Sequence, residues 1–260
     1  MNASTIGGIN LLPDSEKFAL YCQVIPAVLF EKFQIPKPGT IRISNFLKIN
    51  NSHGSTDVEL SLYHETGFPD PILYGHLTDT INGQIHILLY ILNDPESPRF
   101  DVDRMPDGTM TKFGTLQRNI PAEKSAMEAN LAPGQIRHGL RLLTPAIQSF
   151  ESFVSGLGHE VFFVEPLYYH NAVIFEKYGF AYQTGKKLMD RINNGFSEGG
   201  DLFNQLNSSS VFRNPGAANS IRLRSWAIHD GILGEPFSNV TMYKKVGINS
   251  GVSTCPLIKW

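Results

Sequence analysis

Apolar and polar positions along this chain repeat with two periods, and the switches between them predict the elements. From Asp14 the spacing of Phe18, Leu20, Val24 and Ile25 predicts a helix with an acidic start. Pro26 ends it and, as a first-turn proline, opens a second short helix through Phe33. Residues 1–13 are small and polar and read as a loose lead-in, and Pro36-Lys37-Pro38-Gly39 reads as a turn. Strands are expected at 40–49, 58–63, 71–80 and 84–92, the last two flanking Asn82-Gly83, a strong hairpin signal. A second hairpin is expected from 99–104 to 109–113 through Asp107-Gly108.

The pattern then turns helical. A helix beginning near Gln135 carries Leu140, Leu142, Leu143, Ile147 and Phe150, with Pro145 bending it, and extends over Ser149–Gly156. Val161–Val164 is a short apolar run that reads as a buried strand. The helix after it has Ala172, Ile174 and Phe175 apolar and Glu176 and Lys177 polar, and it stops at Gly179. Phe180 starts another strand, and helices are expected at 184–193 and 200–206 within Gly, Asn and Ser-rich sequence. Strands at 221–229 and 240–246 and a polar tail ending at Trp260 close the chain. This order predicts an α+β fold: a mixed, mostly antiparallel central sheet with helices on both faces. It is read as one domain over 1–260, with an N-terminal extension over 1–37 and an insertion over 184–220, before the last strands.

Composition narrows the partners. The chain has 260 residues, 42% hydrophobic and 18% charged, enough for one large core or two modest ones. A formal net charge of -2 argues against nucleic acid as a partner. Cys22 and Cys255 match no metal-site spacing and read as reduced thiols. The N-terminus lacks the basic start and apolar centre of a signal peptide. The longest apolar stretch, Ile85–Leu92, is interrupted by His86 and is too short to span a membrane. A cytoplasmic protein without a membrane partner is therefore expected, and a homodimer is left open.

The segment from Gly158 to Phe180, in the order helix, strand, helix and then Gly179-Phe180, resembles the C-terminal half of the GNAT superfamily of acyl-coenzyme A-dependent N-acyltransferases. The likeness covers about a third of the chain. It implies a sheet that splays between its fourth and fifth strands, with the cofactor's pantetheine arm in the gap. It also implies a loop after the fourth strand whose amides bind pyrophosphate at the next helix start. The matching residues are Gly134, Gln135, Ile136, Arg137, His138, Gly139 and Leu140, the cofactor-binding candidates for acetyl-coenzyme A or another acyl-coenzyme A. The family's loop reads Arg or Gln, two residues, Gly, one residue, then Gly or Ala. Aligned on Gly139, this chain has Gly134 at the opening position and Arg137 at the middle glycine. Gln135, Arg137, His138 and Arg141 crowd the segment with donors; Arg137 is a candidate phosphate fork, and a solvated basic helix face is the other reading. In the helix after strand five, Phe175 stands where the family's proton-donating tyrosine stands, and Tyr168 at its asparagine. Tyr178, His170 and Tyr169 are the substitutes for the acid, with a partly buried aromatic as the other reading of Tyr178.

Acyl transfer to an amine needs a neutral nucleophile, so a base must lie within reach. Glu165, at the end of the 161–164 strand, is the leading candidate; Glu123 and Glu128 precede the loop. Asp101, Asp103 and Asp107 fail the calcium-loop pattern, but Asp101 and Asp103 on one strand face would suit a cationic amine. Ser225, His229 and Asp230 lack a Gly-x-Ser-x-Gly nucleophile turn, and no His pair carries a zinc motif. The expected function is transfer of an acetyl or other short acyl group to an amine on a small molecule or peptide. The alternative is a catalytically inactive GNAT-like fold that binds a ligand or protein, with residues 195–216 as its recognition surface.

Overall fold

Four consecutive strands make an antiparallel meander: β1 (Leu47–Asn50), β2 (Asp57–Leu62), β3 (Leu73–Asp79) and β4 (Ile85–Leu92). The computed structural model describes residues 3–36, 41–111 and 117–260. Period-two burial explains the meander: Val58, Leu60 and Leu62 of β2 are fully buried while Asp57 is exposed, and Leu73 and Leu77 of β3 point to the same core. At the β3–β4 turn Gly83 has φ +75°, its N–H bonds to the Thr80 carbonyl at 2.8 Å, and the Thr80 N–H bonds to the Gln84 carbonyl at 2.8 Å. Only a residue free of a Cβ holds that φ cheaply. Among the described residues the sheet is open, mixed and seven-stranded, in the order β1-β2-β3-β4-β5-β7-β6, with β5 at Val161–Val164, β6 at Ala181–Thr184 and β7 at Thr241–Lys245. Among the described residues eight α-helices and this sheet make the fold α+β.

The chain divides into two compact units, each assembled from separate stretches. The first comprises 1–96, 139–165 and 243–249. It holds α1 (Ile6–Asn10), α2 (Asp14–Tyr21), α3 (Ala27–Lys32), strands β1 to β5 and α5 (Leu143–Gly156). Phe150 of α5 packs edge-on to Tyr90 of β4 at 5.0 Å and stacks with Phe162 of β5 at 6.2 Å. The expected lead-in over 1–13 is structured from Thr5: that hydroxyl accepts the Gly8 N–H at the start of α1, the Asp79 carboxylate accepts the N–H groups of Ile6 and Gly7, and Ile6 and Ile9 are fully buried. An Ile-x-x-Ile pair behind a capping threonine carried that signal.

The second unit comprises 97–138, 166–242 and 250–260. It holds α4 (Ile120–Glu128), α6 (Tyr169–Lys177), β6, α7 (Lys186–Gly195) and α8 (Ile221–His229). Its core gathers Val102, Ala126, Leu131, Phe212 and Trp226; the Phe212 ring stacks on Trp226 at 5.2 Å, and the indole N–H donates to the Leu131 carbonyl at 2.8 Å. The 184–220 segment has buried anchors of its own, among them Met189, Ile192, Phe196, Leu202 and Ala217.

Three expectations are corrected. Residues 221–229 form helix α8 instead of a strand, started by Ser220, whose hydroxyl accepts the Leu223 N–H. No helix begins near Gln135: Gly134 at φ +79° and Arg141 at φ +58° interrupt any helical run, and α5 starts only at Leu143. Residues 41–45 are a 3-10 turn, so β1 starts at Leu47. The Asp107-Gly108 turn exists, with a single bridge between Arg104 and Met110, but the second strand expected there runs onto positions 112 and 113, outside the described residues. Positions 37–39 of the expected proline turn, and Thr40, also lie outside them. Among the described residues no helix is long and apolar enough to cross a membrane.

Candidate functional site

The first unit contains an interruption in its sheet. Strands β4 and β5 run parallel, yet only His86 with Phe163 and Ile87 with Val164 are in register. On the other side of β4, His76 faces Leu89 and Leu77 faces Ile87, which leaves Leu88 as an extra, bulged residue. A bulge bends the strand that carries it. β4 therefore bends at the residue following the last pair with β5, while β5 ends at Val164. Farther along the same edge, the Leu140 N–H bonds to the Leu92 carbonyl at 3.3 Å and Gly139 bridges Asn93 in antiparallel fashion. Among the described residues a stretch of β4 between Ile87 and Leu92 is thus left without a paired strand on that side.

Helix α5 begins three residues after Leu140. Leu142 occupies its N-cap without a side-chain hydrogen bond, and no acidic residue sits in its first turn. The opening amides lack an internal partner, so this end of a 14-residue helix favours an anion. Arg141 is exposed immediately before it.

Only Gly139 and Leu140 of the expected cofactor residues lie along this edge. The other five belong to the second unit, where their polar groups are engaged. Gln135 accepts the Ala132 N–H through Oε1 at 2.7 Å, the Ile136 carbonyl accepts the Phe100 N–H at 2.8 Å, and the His138 N–H donates to Ser97 Oγ at 3.1 Å. Arg137 is 8% exposed and its guanidinium donates to the Ser97 carbonyl. Gly134 is exposed, but a Cβ there would meet the Tyr168 ring at 2.5 Å. Gly134 to His138 therefore form a structural loop, with no helix start to aim their donors at a phosphate.

Glu165 is exposed at the end of β5. Two residues beyond Phe163 it shares a strand face with that ring, and Phe163 lies edge-on to His86 at 6.4 Å. Burial pulls the His86 imidazole below its ordinary pKa, against the opposing charge of Glu165. Its Nε2 is buried and meets no donor or acceptor among the described residues. A neutral imidazole with an unspent nitrogen beside a carboxylate is a group that sequence reading passed over. The signal was there, since His86 interrupts the apolar run Ile85–Leu92.

The acid candidates lie in the second unit. Tyr178 is half-buried at the C-cap of α6, its N–H bonded to the Ile174 and Phe175 carbonyls. Phe175 packs on Phe180 at 5.0 Å. His170 is buried, its Nδ1 lies 2.9 Å from Ser225 Oγ, and burial, helped by the His229 charge, pushes its pKa down to about 3. A neutral, buried imidazole is a poor proton donor near pH 7. Tyr169 is buried, and burial raises its phenol above the ordinary range.

The remaining acidic candidates are engaged as well. Glu123 is 3% exposed and holds Arg118 in a two-pronged pair, with His229 Nε2 at 3.1 Å. Burial works to raise its pKa, but the hydrogen bonds and charges of His229 and Arg118 together hold it below the ordinary value. It is a structural counter-ion and unsuited to act as a base. Glu128 pairs with Lys124 at 3.8 Å. Asp101 and Asp103 grip the guanidinium of Arg99, which fills the cationic place expected there for a substrate amine. Ser225 and His229 lie four residues apart on α8, yet Ser225 pairs with His170 and His229 with Glu123. Among the described residues no group of three or more His, Cys, Asp or Glu side chains is arranged to hold a metal.

Comparison with family models, characterised proteins and solved structures finds no match for this chain.

Proposed function

We propose that the chain is a GNAT-like N-acyltransferase that moves an acetyl or other short acyl group from acyl-coenzyme A to an amine on a small molecule or peptide. The observation that carries this reading is the two-residue parallel contact of β4 with β5, ended by the Leu88 bulge, with Gly139 and Leu140 on the same edge. An extended pantetheine arm suits such an opening, because unpaired strand edges offer backbone donors and acceptors to an amide-bearing chain. The pyrophosphate would then lie at the start of α5, with Arg141 beside it, three residues later than the sequence alignment puts it.

In this reading Glu165 takes a proton from the acceptor ammonium. The neutral nitrogen attacks the thioester carbonyl, the new C–N bond forms, and the C–S bond breaks. Coenzyme A leaves as a thiolate and takes up, directly or through water, the proton that the nitrogen sheds as the amide forms, so no side-chain acid is required. His86, neutral and within electrostatic reach of Glu165, adds no competing positive charge.

Phe175 favours a second reading, in which departure of the thiolate does need a side-chain acid and the fold binds acyl-coenzyme A without turnover, since a phenyl ring has no proton to give. One experiment separates the two. Acetyl-coenzyme A at millimolar concentration should raise the melting temperature, as any ligand selective for the native state must. Addition of a panel of primary amines should then release free thiol. A shift without thiol release selects the binding module; no shift ends both readings.

A further inference from the structure

The second unit contains a pocket of about 510 Å³, lined by Asn193, Phe196, Phe203, Arg224, Cys255 and Leu257. Arg224 projects from α8 and is 2% exposed. Its Nε and Nη2 donate to the Ala218 carbonyl at 3.0 and 2.7 Å, its Nη1 donates to Asn193 Oδ1 at 3.0 Å, and the guanidinium lies 5.1 Å over the Phe196 ring. Every one of these partners is neutral. The neighbouring Tyr169 phenol is kept protonated by burial. The buried Glu176 carboxylate spends its oxygens on Thr254 and on the Tyr182 hydroxyl. A buried cation without a bonded anion is costly in a protein interior, and an arriving anion recovers that cost.

The rest of the pocket defines what kind of anion. Its wall from Pro256 to Ile258 is apolar and is fixed in place, since the Ile221 N–H at the start of α8 bonds to the Lys259 carbonyl at 2.8 Å. Leu257 is 91% exposed and Phe203 37%, so a ligand's apolar body would cover surface that water now touches. Among the described residues Arg224 is the one cationic side chain lining the pocket, and Glu198 lines it too. One cation opposed by one carboxylate suits a monoanion and disfavours a phosphate dianion.

We propose that this pocket binds a small apolar monocarboxylate, with its carboxylate on Arg224 and its hydrocarbon body against Phe203, Leu257 and Ile258. The site stands independently of the acyl-transfer reading.

Calorimetric titration of the full chain with octanoate, octan-1-ol and inorganic phosphate tests it, beside the rim variant Leu257→Asp, whose exposed position leaves the fold unburdened. Octanoate should bind saturably and at least about tenfold more tightly than octan-1-ol, as expected for a hydrogen bond to a charged group. Phosphate should show no binding, and Leu257→Asp should weaken octanoate by about tenfold or more. The proposal is overturned by no saturable octanoate binding at millimolar concentration, by equal affinity for the alcohol or for phosphate, or by undiminished binding to the variant.

Discussion

The amide of Leu140 donates to the carbonyl of Leu92 on the edge of β4 that faces away from β3. Ile87, five residues earlier on that edge, makes the last registered pair with β5. At about 3.3 Å per residue, about 16 Å of strand lies between these two contacts. The Leu88 bulge sits at the near end of that interval, and α5 starts just beyond its far end. In the proposed acyl-transfer reading, the pantetheine arm would lie along this line with its phosphate end at α5.

His86 should prove to be held at the expense of stability. Its buried Nε2 lacks a partner, and an unsatisfied buried polar atom costs on the order of 1–3 kcal/mol. His86→Phe should therefore stabilise the free protein by about 1 kcal/mol in urea denaturation. A loss of stability of similar size would mean that Nε2 has a bonding role in the folded chain.

Glu165 should matter for turnover and little for folding. It is exposed, so Glu165→Gln should leave the melting temperature within about 1 °C, as surface substitutions usually do. The rate of thiol release under saturating acetyl-coenzyme A should fall by about a hundredfold or more if its carboxylate removes the amine proton. An unchanged rate would remove Glu165 from the reaction.

Gly134 should tolerate no side chain. At φ +79°, with the Tyr168 ring 2.5 Å from where a Cβ would stand, Gly134→Ala adds backbone strain to a steric clash. A destabilisation of about 2 kcal/mol is expected from denaturant unfolding. Wild-type stability in this variant would show that the loop repacks freely.

Stability should fall as the solution is acidified, with His170 responsible for the first part. Its folded pKa is about 3 against an ordinary 6.5, so between those values the unfolded chain binds more protons than the folded one. The contribution is complete above pH 6.5 and drains away as pH falls toward 3. Between pH 6.5 and about 5 the loss should be about 2 kcal/mol. His170→Asn should abolish most of that slope in urea unfolding, and an equally steep slope in the variant would assign it to another group.

Local chemistry made some elements readable. Val161–Val164 is an apolar run with β-branched ends, and α6 stops before Gly179, which adopts φ +80°. Asn82-Gly83 set the β3–β4 hairpin. In contrast, Ile221-Arg-Leu-Arg alternates like a strand, and only tertiary burial explains why this segment is a helix whose Arg224 and Ser225 are buried. The phosphate-loop alignment failed for a related reason. It rested on Gly139 and on an assumed helix start, whereas Gly134 and Arg141 take left-handed conformations that no spacing rule reveals. His86 was visible as a polar interruption, but its orphaned nitrogen is a fact of packing. The Leu88 bulge depends on long-range register, which a single sequence does not encode locally.

Hydrogen–deuterium exchange of the full chain, measured with and without saturating acetyl-coenzyme A, examines the β4 opening most directly. Ligand should slow exchange at the amides of Leu88–Leu92 and of Gly139–Thr144 together, and leave Gly134–His138 unchanged. Protection confined to Gly134–His138, or none in either stretch, would mean that this edge of β4 is not where acyl-coenzyme A binds.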